Sequence, residues 1–219
     1  MNSKTKSLVL MGFITALLLI FSMTPIGTIP IGPLSISLNV IPVAIAAVAL
    51  GPAGGAAAGA IFGILSFLQC FGIGVPSGMG AALASIDPFL AFVQRFIPRL
   101  LDGFLVGVIY KALSKKINNY AACAATGFCT AFLNTLFFMS ALLLLFGQTD
   151  YVQELMDKKG THNVFLFVVM FVGVNAVLEM LAATVVTGGV GAALIKSKLI
   201  KPSNVKNTDM VTSADAENV

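Results

Sequence analysis

The stretch VIPVAIAAVALGPAGGAAAGAIFGILSFLQC, residues 40–70, carries no charged residue and is broken once, by GPAGG at 51–55. An apolar run this long and this free of charge reads as membrane-embedded, because a bilayer-spanning helix takes about 20 predominantly apolar residues. Glycine and proline break helices, and a break of this length leaves room only for a tight antiparallel turn. The stretch therefore predicts two neighbouring helices, over 40–50 and 56–70, joined as a hairpin. Within it Gly51, Gly55, Gly59 and Gly63 recur every fourth residue with Ala56 and Ala60 beside them. That spacing lets helix backbones approach closely in lipid, and it points to packing within the molecule.

Working outward, hydrophobic runs with few or no charges also cover 8–23, 89–113, 120–147 and 164–195. The expectation is an all-α integral membrane protein with six transmembrane helices. It comprises one six-helix transmembrane domain over 1–199 and a polar, disordered cytoplasmic tail over 200–219. Composition agrees: of 219 residues 58% are hydrophobic and only 10% charged, and the mean hydropathy is +0.97. A soluble domain needs charge on roughly a quarter of its residues, so an ordinary soluble fold is excluded. Lys4 and Lys6 ahead of the first run resemble a secretory leader, but no A-x-A cleavage site follows and more hydrophobic runs come at once, so that run is read as a retained first span.

Lysine placement orients the chain. Lys4, Lys6, Lys111, Lys115, Lys116, Lys196, Lys198, Lys201 and Lys206 fall on the short-loop face. The three longer connections, at 24–39, 70–88 and 148–163, fall on the other and carry only Lys158 and Lys159, offset by Asp150, Glu154 and Asp157. By the positive-inside rule the short-loop face and both termini are cytoplasmic. The net charge of +4 thus belongs to helix ends, and no basic stripe interleaved with aromatics suggests nucleic acid.

Several chemistries lack their apparatus. There is no Gly-rich loop ending in Gly-Lys-Ser/Thr, so the chain does not bind and hydrolyse ATP by that route. His162 has no partner at metal-ligand spacing, and Cys70, Cys123 and Cys129 show no CxxC pattern, so no metal or cofactor is implied and the cysteines are read as packing residues. The informative residues are charges at bilayer depth, which cost about 2.5–3.5 kcal/mol each on insertion scales. Arg95, Arg99 and Asp102 stand at i, i+4 and i+7 on one stripe of the fourth span, and Glu179 stands alone in the sixth. At about 1.5 Å per residue, Arg99, Asn134 and Glu179 share one level, with Arg95 and Asn175 one turn nearer the long-loop side. This polar column is read as a binding cavity between spans four, five and six.

Two assignments within it remain open. Arg99 with Glu179, or Arg99 with Asp102, is equally a buried ion pair that fixes packing. Arg95 has no acidic neighbour at helical spacing in the outer half of its span and suits a ligand carboxylate. The first long connection, with three prolines and two glycines over 24–39, is too apolar for a solvated linker and too broken for a helix. It is expected to fold back as a lid whose Ser35, Ser37 and Asn39 supply neutral polar groups to a small-molecule substrate, or serve only turn and cap roles. Gly12 and Ala16 leave a flat patch on the first span that suits another membrane protein.

The blocks IPIGPLSISLNVIPVAIAAVALGPAGGAAAGAIFG (29–63), FVQRFIPRLLDGFLVGVIYKAL (92–113), LNTLFF (133–138) and NAVLEMLAATVV (175–186) resemble those of energy-coupling factor (ECF) transporter S components. The 29–63 block and the arginines flanking Pro98 are most similar to the pantothenate-type branch. The resemblance implies a six-helix substrate-binding subunit of the bacterial plasma membrane. Its partners would be a membrane coupling protein and two ATP-hydrolysing subunits, and Gly12 and Ala16 match the small-residue patch by which S components dock. The ligand is expected to be a vitamin: pantothenate first, with riboflavin or folate as alternatives. An arginine and Asn or Ser groups suit pantothenate's carboxylate, amide and hydroxyls. Phe132, Phe137 and Phe138 are available to stack on a flatter ring. The competing class is a stand-alone ion-coupled transporter in which Arg99 and Glu179 form the charge-coupling pair.

Overall fold

The computed structural model describes residues 3–31, 34–161, 163–197 and 199. The expected tail over 200–219 and His162 lie outside them. The described chain is helical apart from one antiparallel hairpin. Its elements are α1 (Ser3–Met23), β1 (Thr28–Ile31), β2 (Leu34–Ser37), α2 (Val40–Leu68), a single 3-10 turn (Gln69–Phe71), α3 (Gly78–Ile86), α4 (Pro88–Lys116), α5 (Asn119–Phe146), α6 (Asp150–Lys158) and α7 (Val164–Lys196). Among the described residues four helical stretches are long and apolar enough to cross a membrane, within α1, α2, α5 and α7. The 29-residue α4 is as long as α2 but buries Arg95, Arg99 and Asp102 in its interior.

α2 is two arms rather than one rod. Gly51 breaks the helix with φ 72° and ψ −163°, a conformation open to glycine and strained for other residues. A Cβ built on Gly55 would lie 3.1 Å from Ala47 Cβ. Residues eight apart in a straight helix are separated by about 12 Å, so the chain reverses at the Gly51–Pro52 corner. The two outer ends of the arms meet again beside α1, where Ser22 Oγ donates to Asn39 Oδ1 (3.3 Å) and Gln69 Nε2 donates to the Ser22 carbonyl (2.9 Å). The hairpin expected from GPAGG is present.

The glycine ladder explains how α2 meets α4. A Cβ on Gly55 would overlap the Gly103 carbonyl, one on Gly59 the Arg99 carbonyl, and one on Gly103 the Gly55 carbonyl, while Gly63 would meet Phe96 Cα at 2.9 Å. The second arm of α2 therefore runs antiparallel to α4 with backbone touching backbone, the close approach that supplies association energy in lipid. α5 and α7 form a second antiparallel pair in which Gly127 sits against the Ala183 carbonyl.

The three longer connections gather at one end of the bundle, and each has more structure than the sequence suggested. The first holds β1 and β2, paired from Thr28–Ser37 to Ile31–Leu34. The second holds α3, capped by Ser77, whose Oγ accepts from Gly80 N–H at 3.1 Å. The third holds α6, whose Val152 and Met156 are buried in one core with Met79 and Leu83 of α3 and Phe146 and Phe167 of α5 and α7. α3 shows no period because its nine residues are nearly all small or apolar, whereas α6 carries a readable i, i+3, i+4 pattern in Val152, Leu155 and Met156 that was overlooked in the sequence.

Candidate functional site

α2, α4, α5, α7, the β hairpin and the loop into α3 surround a cavity of about 720 Å³, its open mouth included. Seven of the residues singled out in the sequence line it together: Ser37, Arg95, Arg99, Asn134, Phe138, Asn175 and Glu179. α4 supplies the arginines because its Gly103 and the seam with α2 bring it close enough for the guanidiniums to lie beneath the second arm. Arg95 is 5% exposed and Arg99 5% exposed. Their planes rest on aromatic faces: Arg99 Cζ lies 4.5 Å from the Phe62 ring centre, and both guanidiniums lie 5.2 Å from that of Phe138. Such contacts stabilise a desolvated cation. Phe138 is thus a cavity aromatic, whereas Phe132 is exposed on the outside of α5.

The polar contacts of the two arginines are unusual in being neutral. Arg95 Nη1 donates to Ser66 Oγ (3.3 Å) and Nη2 to Ser77 Oγ (3.1 Å), and Arg99 Nη1 donates to the Arg95 carbonyl (2.8 Å). The Nε groups of both have no protein partner. Neither arginine has a carboxylate within 4.0 Å among the described residues, whereas Lys158 and Glu154 form an exposed ion pair on α6. The expected Arg99–Glu179 and Arg99–Asp102 pairs are therefore not formed. Glu179 Oε1 instead accepts the Ser37 backbone N–H at 2.7 Å, because the β hairpin folds inward and presents an unpaired donor to α7. Asp102 is buried away from the cavity lining, with Oδ1 unpartnered. Arg99 and Glu179 nevertheless line the same cavity within electrostatic reach of each other.

Asn39 takes no place in the lining. Its side chain joins Ser22 Oγ to Ser37 Oγ, the latter accepting from Nδ2 at 3.4 Å, and so fastens the hairpin to α1. The Ser35 side chain lies outside the described residues, and its backbone faces Pro30 in the hairpin. Residues overlooked in the sequence include Ser66, Gln69 and Ser77 in the lining. A signal for Ser77 existed, since a serine before a run of small residues is an N-cap pattern. Ser66 had none, because one serine in an apolar helix is usually satisfied by its own backbone. On α6, Tyr151 lies within electrostatic reach of Arg95: burial pushes its phenol above the ordinary value and Arg95 offsets part of that.

Gly12 and Ala16 are exposed on α1, and a Cβ on Gly12 would meet nothing within 4 Å. They lie on an apolar face with Leu8 (75% exposed) and Phe13 (62% exposed).

The described helices thus form a bundle that encloses an arginine-lined cavity at the end where the long connections gather. The sequence profile described as ECF transporter, substrate-specific component, matches residues 6–190, and the chain belongs to that family. It is also 28% identical over 202 residues to the pantothenate transporter PanT of Leuconostoc mesenteroides subsp. mesenteroides, covering 89% of this chain and 94% of that protein.

Proposed function

We propose that this chain is the substrate-binding membrane subunit of an ECF-type transporter that captures pantothenate for ATP-driven uptake. The observation that carries the ligand class is the pair of buried arginines with no carboxylate partner. A desolvated guanidinium without a counter-ion is costly, and a ligand carboxylate would supply one in the bidentate geometry that arginine favours. Asn134, whose Oδ1 has no protein partner, and Asn175 suit the amide and hydroxyl groups of pantothenate, while Glu179 stands ready to accept from a hydroxyl. The likeness to PanT points the same way. In this reading the chain crosses a bacterial plasma membrane six times with both termini cytoplasmic. The cavity opens outward, and energy comes from a membrane coupling protein and two ATP-hydrolysing subunits.

The test is direct. Purified protein is expected to bind pantothenate, and vesicles containing it alone are expected to bind without accumulating the vitamin. Accumulation requires the coupling protein, the ATPases and ATP. Uptake by the chain alone would overturn the assignment.

A second expectation concerns docking. Bulky residues at Gly12 and Ala16 block close backbone approach in lipid. A Gly12→Trp, Ala16→Trp variant is expected to keep its vitamin affinity and lose complex assembly and uptake. Normal assembly in pull-down with the coupling protein would remove that patch from the interface.

A further inference from the structure

We infer that the first turn of α3 is the second half of an anion clamp opposite Arg95, with Ser77 and Gly80 as the residues that set its preference for a carboxylate. This deepens the vitamin-site reading and rests on it for the ligand named.

The argument begins with two positive poles held together. α3 begins at Gly78, and the N–H groups of Gly78 and Met79 precede its first intrahelical bond, so they point out of the helix with the positive end of its dipole. Ser77 Oγ accepts simultaneously from Gly80 N–H (3.1 Å) and from Arg95 Nη2 (3.1 Å). One hydroxyl oxygen thus separates a helix N-terminus from a guanidinium that is 95% buried by its 5% exposure, and Arg95 Nε has no partner at all. Ser77, Met79, Arg95 and Arg99 line the same cavity. Ser77 Oγ bridges these two positive poles, and an anion that takes up the unpaired Arg95 Nε and the free N–H groups at the start of α3 would complete the arrangement, as helix N-termini bind carboxylate and phosphate elsewhere.

Gly80 is what permits this approach. A Cβ there would lie 2.7 Å from Cys70 Sγ, 2.8 Å from Arg95 Nη2 and 2.9 Å from Ser77 Oγ. Even alanine obliges the Cys70 thiol, the Arg95 guanidinium and the Ser77 hydroxyl to shift. The clamp is therefore built from residues on two elements, and its span is set by the absence of a side chain at Gly80.

The experiment measures affinity and thermal stabilisation for pantothenate, for its primary-alcohol analogue in which hydroxymethyl replaces the carboxylate, and for butanoate. Wild-type protein, Gly80→Ala, Ser77→Ala and Ser77→Thr are compared. Wild type is expected to prefer pantothenate over the alcohol. Gly80→Ala and Ser77→Ala are expected to weaken pantothenate about tenfold and to change the alcohol less than threefold, with Ser77→Thr, which keeps the hydroxyl, near wild type. Equal losses for both ligands, or none for either, would overturn the clamp. If wild type ignores pantothenate yet butanoate stabilises it and not Gly80→Ala, the vitamin reading fails and the clamp stands. If no carboxylate of the set stabilises wild type, the clamp fails.

Discussion

Replacing Arg95 with alanine is expected to weaken pantothenate binding by roughly 2–5 kcal/mol, about thirtyfold to several thousandfold, while leaving the empty protein folded. The asymmetry follows from what Arg95 touches. In the empty cavity it bonds only two serine hydroxyls, which lose little when left to themselves, whereas a bound carboxylate would lose its nearest cation in a desolvated site. Affinity by calorimetry and thermal stability should be measured side by side. Normal affinity would show that the ligand sits elsewhere. A loss of stability equal to the loss of affinity would show that Arg95 only holds Ser66 and Ser77 in place.

The opposite pattern is expected at the seam between α2 and α4. A leucine at Gly59 has nowhere to go, because even its Cβ would overlap the Arg99 carbonyl. Overpacking a core with flexible neighbours costs roughly 1–3 kcal/mol, but here the obstacle is backbone on the facing helix. Gly59→Leu is therefore expected to abolish monodisperse, folded protein. Gly12→Leu, at a position with open space around it, is the matched control and should purify normally. A well-folded Gly59→Leu variant with intact ligand affinity would show that the seam can open without cost.

Much of this architecture is legible in residue order because lipid simplifies the code. GPAGG predicts the reversal at Gly51, since no other backbone fits so short a break. The four-residue glycine spacing predicts a helix seam, and the structure adds the partner, α4. Charges at bilayer depth mark the cavity, and Arg95, Arg99, Asn134, Asn175 and Glu179 do converge there. Pairing among them was not legible. Opposite charges at one depth suggest an ion pair, yet Glu179 is claimed by the Ser37 N–H, and that donor becomes available only once the hairpin has folded. A sequence shows side chains and hides which backbone groups are left over. Ser66 was overlooked for a related reason, because its partner Arg95 comes from another element.

The bond between Glu179 and Ser37 also bears on how such a chain is inserted. The first arm of α2, residues 40–50, is about 16 Å long at 1.5 Å per residue, half the hydrocarbon thickness of about 30 Å. In the six-crossing arrangement proposed above, the β hairpin that precedes it would dip below the membrane surface. Non-helical backbone at that depth is tolerated only when protein satisfies its polar groups. Leu38 N–H finds the Gly27 carbonyl at 2.8 Å within the same segment, but Ser37 N–H waits for an acid that is 142 residues further along the chain. During synthesis α1 can hold the hairpin through Asn39 and Thr28, but the Ser37 N–H has no acid to bond until α7 arrives. A helix made more than a hundred residues later is then the one that seals the first loop.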